Sequence, residues 1–199
     1  DEALAIFVDA SGNVYVTGKS IGISANYDCT TVKYNSNGVQ QWAIRYNGSS
    51  NGFDEGKIIK LDILGNIYVS GNTQNINSDW DFLTIKYNTF GTNQWTKAYN
   101  SQFNGNDIVN SMCIGTSGSI FIAGRIQKNQ SGYNIGVIKY GSNGQVENVR
   151  NIDVGSTGDA KYINTDSYEN VYISGSSLDS IWYINDPITG TNMYVAKLT

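Results

Sequence analysis

The sequence has no histidine, which excludes a His-based catalytic triad and a His-ligated zinc site within this chain. It holds a single proline and two cysteines, and only 15% of its residues are charged, against roughly 25% in an average soluble protein. Thirteen basic residues face seventeen acidic ones, for a net charge of -4. With no basic excess to neutralise phosphates, nucleic acid is excluded as an expected partner. No apolar run approaches the roughly 18 to 20 residues of a membrane-spanning helix, so no membrane insertion is expected. Cys29 and Cys113 lie 84 residues apart, at different positions of the repeat described below. The favoured reading is two small buried hydrophobes; the alternative, a disulfide, requires Cβ atoms roughly 4 Å apart. The opening residues Asp1-Glu2-Ala3-Leu4 carry no basic n-region and no apolar core, so no signal peptide is expected there.

What is abundant is asparagine, glycine and aromatic side chains: 25 Asn, 22 Gly, 14 Tyr, 6 Phe and 4 Trp among 199 residues. That aromatic content argues against disorder, and the length allows a sizeable core without staples. Richness in Asn, Gly, Ser, Thr and Tyr with few charges matches the composition of secreted bacterial surface proteins.

Comparison of the chain with itself reveals its organisation. Gly12-Asn13-Val14-Tyr15-Val16-Thr17-Gly18 returns 53 residues later as Gly65-Asn66-Ile67-Tyr68-Val69-Ser70-Gly71. It returns again as Gly118-Ser119-Ile120-Phe121-Ile122-Ala123-Gly124 and as Glu169-Asn170-Val171-Tyr172-Ile173-Ser174-Gly175. A second block keeps step: Thr31-Val32-Lys33-Tyr34, Thr84-Ile85-Lys86-Tyr87, Val137-Ile138-Lys139-Tyr140 and Val195-Ala196-Lys197-Leu198. A third, Gln41-Trp42 and Gln94-Trp95, decays by Glu147. Each unit reads as four short strands with period-two alternation, and no helical stripe of useful length occurs. Asp9-Ala10-Ser11-Gly12-Asn13 reads as a tight turn rather than a calcium loop, with glycine where a positive φ is cheap. Four-stranded units of this size, repeated, predict an all-β propeller array with units of about 1–53, 54–106, 107–158 and 159–199. The fourth copy reads as a first strand, a second strand and a delayed third. The last unit is therefore expected to lack its outer strand and to leave an open edge.

At these residues the chain resembles the SBBP-type β-propeller repeat proteins of bacterial, notably Bacteroidetes-like, surfaces. The phrases that carry the likeness are Asp62-Ile63-Leu64-Gly65-Asn66-Ile67-Tyr68-Val69-Ser70-Gly71, Asp81-Phe82-Leu83-Thr84-Ile85-Lys86-Tyr87-Asn88 and Gly38-Val39-Gln40-Gln41-Trp42. The resemblance covers the whole chain and is strongest over residues 1–100. It implies a propeller in a secreted or cell-surface setting and implies no activity.

Loop length separates the two ends of the units. The turns between first and second and between third and fourth strands are short and uniform, so that end is expected to be inert. The second-to-third loops (19–27, 72–80, 125–133 and 176–192) and the connectors 48–53 and 101–106 lie at the other end, where binding usually resides. Tyr27, Trp80 and Tyr133 close the first three long loops, and Trp182 and Tyr183 stand in the insertion of the fourth. They read either as stacking platforms for sugar rings or protein side chains, or as plugs between neighbouring units. The shared repeat position favours plugs for the first three, while the insertion favours binding for Trp182 and Tyr183. Asp1, Asp54, Asp107 and Asp159 recur at the start of each first strand. Such carboxylates would suit calcium, but the favoured reading is that each accepts backbone N–H groups of its own loop. No cofactor is therefore expected. Lys33, Lys86, Lys139 and Lys197 recur on third strands and are expected to lie over the sheet and pair with carboxylates. No nucleophile–base pair or phosphate loop assembles. The expectation is a non-enzymatic scaffold for protein or glycan adhesion, with part of a glycan-acting hydrolase as the alternative. Its expected partners are surface proteins or glycans, and further blades of the same polypeptide or a strand donated by a neighbouring chain.

Overall fold

The computed structural model describes residues 1–22, 25–77, 79–155 and 157–177, together with the backbone of 184–188 and 191–197. Among these residues every regular element is a strand, and the strands form four four-stranded sheets. By packing, the chain divides into two compact units, Asp1–Tyr99 and Asn100–Thr199.

In the first unit, β1 (Glu2–Val8), β2 (Val14–Ile21), β3 (Tyr27–Tyr34) and β4 (Gln40–Tyr46) pair antiparallel in chain order as sheet 1. Sheet 2 repeats the plan with β5 (Asp54–Leu61), β6 (Ile67–Gln74), β7 (Trp80–Tyr87) and β8 (Asn93–Tyr99). Alternation assigns each residue to a face. Phe7 pairs with Tyr15 and Lys19 with Cys29, whereas Ile6 pairs with Val16 and Val16 with Val32 on the opposite face. Tyr15 and Cys29, on the front of sheet 1, pack with Ile59, Ile67, Val69, Leu83, Ile85 and Tyr87, on the rear of sheet 2. Each aliphatic side chain removed from water there contributes about 1.5–3 kcal/mol. Gly56 makes the close approach feasible, because a Cβ there would stand 2.2 Å from Thr17 Oγ1 and 3.0 Å from Cys29 Sγ.

The second unit opens with sheet 3: β9 (Ile108–Ile114), β10 (Ile120–Gln127), β11 (Tyr133–Tyr140) and β12 (Val146–Ile152), antiparallel in chain order. Its front, with Phe121, Ala123, Ile135 and Val137, packs on Ala160, Ile163, Val171 and Ile173 of sheet 4. Sheet 4 contains β13 (Gly158–Thr165), β14 (Val171–Ser177), β15 (Ile184–Ile188) and β16 (Thr191–Lys197).

Sheet 4 corrects one expectation. Its order is β13-β14-β16-β15, so the outer position is held by Ile184–Ile188 and is not empty. Ile184–Ile188, from the insertion, pairs antiparallel with β16, and β16 lies parallel to β14. The vacancy that motivated a donated strand is thus filled from within the chain. Pro187 lies on this outermost strand, where a missing N–H interrupts no inner ladder. Cys29 and Cys113 are both buried thiols.

Candidate functional site

The long-loop end of the first unit is built on the connector between its two sheets. Asp54, buried at the start of β5, accepts the Gly48 N–H at 2.8 Å through Oδ2. Gln74, at the end of β6, accepts the Phe53 N–H at 3.0 Å, and Ser50 Oγ donates to the Gln74 carbonyl. Asn51 adopts φ 50°, a left-handed conformation that Asn tolerates, and its side-chain oxygen accepts from Asn47 at 2.9 Å. Burial pushes the Asp54 carboxyl above its ordinary value, partly offset by the Gly48 N–H and Thr73 and reinforced by the charge of Asp28.

The second unit repeats the device. Asp107 accepts the Ser101 N–H at 2.6 Å and the Gln127 N–H at 2.9 Å, while Gln127 accepts the Asn106 N–H at 2.7 Å. Asn104 holds φ 47° with its side-chain oxygen bonded by Asn100. Asp159 instead accepts from Asn110 and pairs with Lys161, and Asp1 accepts the Ile21 N–H at 3.2 Å. The recurrent aspartates are therefore engaged in holding loops and neighbouring strands. Among the described residues no three Asp, Glu or Cys side chains gather as a metal site.

The aromatics predicted to line this end have companions. Tyr27 packs against Phe53, ring centroids 6.1 Å apart and planes tilted by 33°, and Lys19 Nζ lies 5.5 Å from the Tyr27 centroid. In the second unit the Arg125 guanidinium lies 4.7 Å from the Tyr133 ring, and Tyr133 bridges in parallel to Thr157 of the connector. Both tyrosines thus tie a long loop to the following connector. Trp80 is half-buried at the start of β7. Trp182 and Tyr183 lie outside the described residues. Sequence reasoning missed Phe53, Ile76 and Phe103, each exposed at a loop tip. Phe53 and Phe103 stand where the companion connector has Asn106 and Ser50, and that departure from the repeat was the available signal; Ile76 matches Ile23 of the first copy and carried none.

Chemically, this end offers exposed aromatic and aliphatic surface on clamped loops; the buried Asp54 and Asp107 accept from backbone donors, Asp28 pairs with Arg45, and Asp81 accepts from the Asn75 side chain. No protein-family model matches the chain, and no curated protein matches it either.

Proposed function

We propose that the four sheets are blades of a propeller-type array that works as a non-enzymatic binding scaffold outside the bacterial cell. Its long-loop end would hold a surface protein or glycan. The observation that carries this reading is the directional stacking of repeat units. Ile59 of sheet 2 and Ile163 of sheet 4 occupy one repeat position and are 4% and 5% exposed. Their counterpart in sheet 1, Ile6, is 66% exposed, and Val8 beside it is 55% exposed. An apolar face of this kind fits a further sheet of the same type, whose front would supply an aromatic like Tyr15. The clamped connectors favour binding over chemistry, since their aspartates hold backbone rather than facing a substrate.

The test is a glycan array run beside a reducing-sugar release assay on the same glycans. Binding without release is expected, weakened about tenfold by Trp80→Ala, by Phe53→Ala or by the pair Trp182→Ala and Tyr183→Ala. Release of reducing ends would instead favour the hydrolase alternative. A ligand indifferent to all these changes would remove the long-loop end from consideration. For the array itself, Ile6→Asp should change stability by less than about 0.5 kcal/mol in the isolated chain, whereas Ile59→Asp should unfold it.

A further inference from the structure

The turn end, expected to be inert, carries a groove of about 450 Å³ between sheets 1 and 2. Lys33, Gln41 and Trp42 line it from sheet 1, and Thr89 and Phe90 from the β7–β8 turn. The Lys33 ammonium lies 5.1 Å from the Tyr15 ring centroid and donates to the Thr89 carbonyl at 3.4 Å. Among the described residues no carboxylate pairs with it.

The second unit contains the same lysine in its completed form. Lys139 lies 5.4 Å from the Phe121 ring, as Lys33 lies over Tyr15, but its ammonium meets Glu147 at 3.2 Å and Glu169 at 3.6 Å. Gln41 and Glu147 share one repeat position, at a bulge opposite the lysine. Gly65 and Glu169 share another. In the first unit both carboxylate seats are therefore neutral, and a cation faces an open groove.

The walls differ in the same direction. The turn-tip position of Phe90 is Asn in sheets 1 and 3, Asn37 and Asn143, so the turn does not require an aromatic there. Phe90 is nonetheless 82% exposed. Trp42 stands where sheet 3 has Asn148, and it is held by a 6.3 Å ring contact with Tyr15 and by the close approach of Gly91.

We infer that this groove binds the carboxylate of an acidic sugar, a hexuronate unit of a glycan. The carboxylate takes the place at Lys33 that Glu147 takes at Lys139. The ring face lies against Trp42 and Phe90, and its hydroxyls meet Gln41 and Thr89. An acidic peptide side chain is no larger than Glu147 itself and would leave Phe90 bare, whereas a ring-bearing acid covers it. The site belongs to the turn end and stands whether or not the long-loop end binds anything.

Isothermal titration of the 199-residue chain with trigalacturonate, and with the neutral galactose trimer as control, tests this. Trigalacturonate should bind in a salt-sensitive manner and the neutral trimer at least about tenfold more weakly. Lys33→Gln and Phe90→Asn should each weaken binding by about tenfold or more, the latter installing the residue that other repeats carry. Gln41→Glu should abolish binding by seating a carboxylate on Lys33, with thermal stability unchanged or raised. Trp80→Ala should leave this binding untouched, which separates it from the long-loop reading. The proposal is overturned if trigalacturonate fails to bind at millimolar concentration or if Gln41→Glu binds as the native chain does. Equal affinity for the neutral trimer or for a hexaglutamate peptide would overturn it too.

Discussion

Asp9 lies in the first turn with both carboxylate oxygens occupied. Oδ1 accepts the N–H groups of Ser11 and Asn13, and Oδ2 accepts from the Asn13 amide and the Tyr15 hydroxyl. Asp62 and Asp166 repeat these bonds with Asn66 and Tyr68 and with Asn170 and Tyr172. Sheet 3 has Gly115 in place of the aspartate, and it also lacks the partners, with Ser119 for Asn and Phe121 for Tyr. The missing acceptor comes from sheet 4, where Glu169 Oε1 takes the Ser117 N–H at 2.8 Å. Glu169 adopts φ 61° at a position that is Gly12, Gly65 and Gly118 in the other sheets. Its bonds to Ser117 and its pair with Lys139 offset that strain, which costs about 1–2 kcal/mol. A Cβ on Gly115 would stand 2.4 Å from Glu169 Oε1, so two acids cannot share the space. Gly115→Asp alone should destabilise by about 2 kcal/mol, and Glu169→Gly alone by about 1 kcal/mol. The double variant should lie within about 0.5 kcal/mol of the native chain in urea denaturation. Additive penalties would show that the carboxylates do not substitute for each other. The turn and its glycine were legible in the sequence, because one repeat contains all its parts. The exchange of Asp for Glu was not, because its two halves lie in different repeats.

Each first strand carries a bulge, between Ala3 and Ala5, Gly56 and Ile58, or Ala160 and Tyr162, and in sheet 3 the shift falls opposite Ala123 and Gly124. At the bulge a carbonyl is driven against the second strand. A Cβ added at Gly18, Gly71, Gly124 or Gly175 would stand only 1.8–2.1 Å from the facing carbonyl oxygen. This accounts for the glycine that closes every copy of the second-strand block. The glycines themselves stood out in the repeat, but their reason lay in a partner strand that the sequence does not mark. Gly71→Ala should cost about 3 kcal/mol or more, because the clash is with backbone and no rotamer relieves it. Gly38→Ala is the control: nothing lies within 4 Å of its added Cβ. Only its φ of 77° is strained, so about 1 kcal/mol is expected. Thermal melts of the two variants measure the difference. The outer strand of sheet 4 escaped the repeat pattern for a different reason. Its residues come from an insertion with no counterpart, and periodicity is blind to such a segment.

At the scale of the whole chain, acidity acts through opposed groups. Burial raises Asp54, so its contribution is full below its unfolded value near 3.8 and is lost as pH rises through its folded value. Asp153 is lowered chiefly by Lys128, and Asp166 chiefly by Asn170. For Asp9 and Glu169 burial alone would raise the carboxyl, but hydrogen bonds outweigh it and the net direction is down. These four contribute above their ordinary values of 3.8 and 4.5 and lose that contribution as pH falls through their folded values. The melting temperature should therefore hold or rise slightly as pH falls from neutral through the folded value of Asp54, and fall once pH drops below 3.8 through the folded values of the other four. Asp54→Asn, which keeps an acceptor for Gly48, should remove the rise and leave the acid fall. A melting temperature that drops steadily from pH 7 to 5 would contradict this assignment.

The strand order of the sheets also dictates when each is completed during folding. In sheets 1 to 3 every pairing joins strands consecutive in the chain, so each can zip from its own turn with little loop-closure cost. Sheet 4 cannot zip this way, because β16 reaches β14 past β15, in parallel. Its β15–β16 pair has to form first and then dock as a piece, a slower step with a larger entropic barrier. Pulsed hydrogen exchange during refolding should find the amides of 191–197 protected after those of 27–34, 80–87 and 133–140. Simultaneous protection would mean that docking is not the late event.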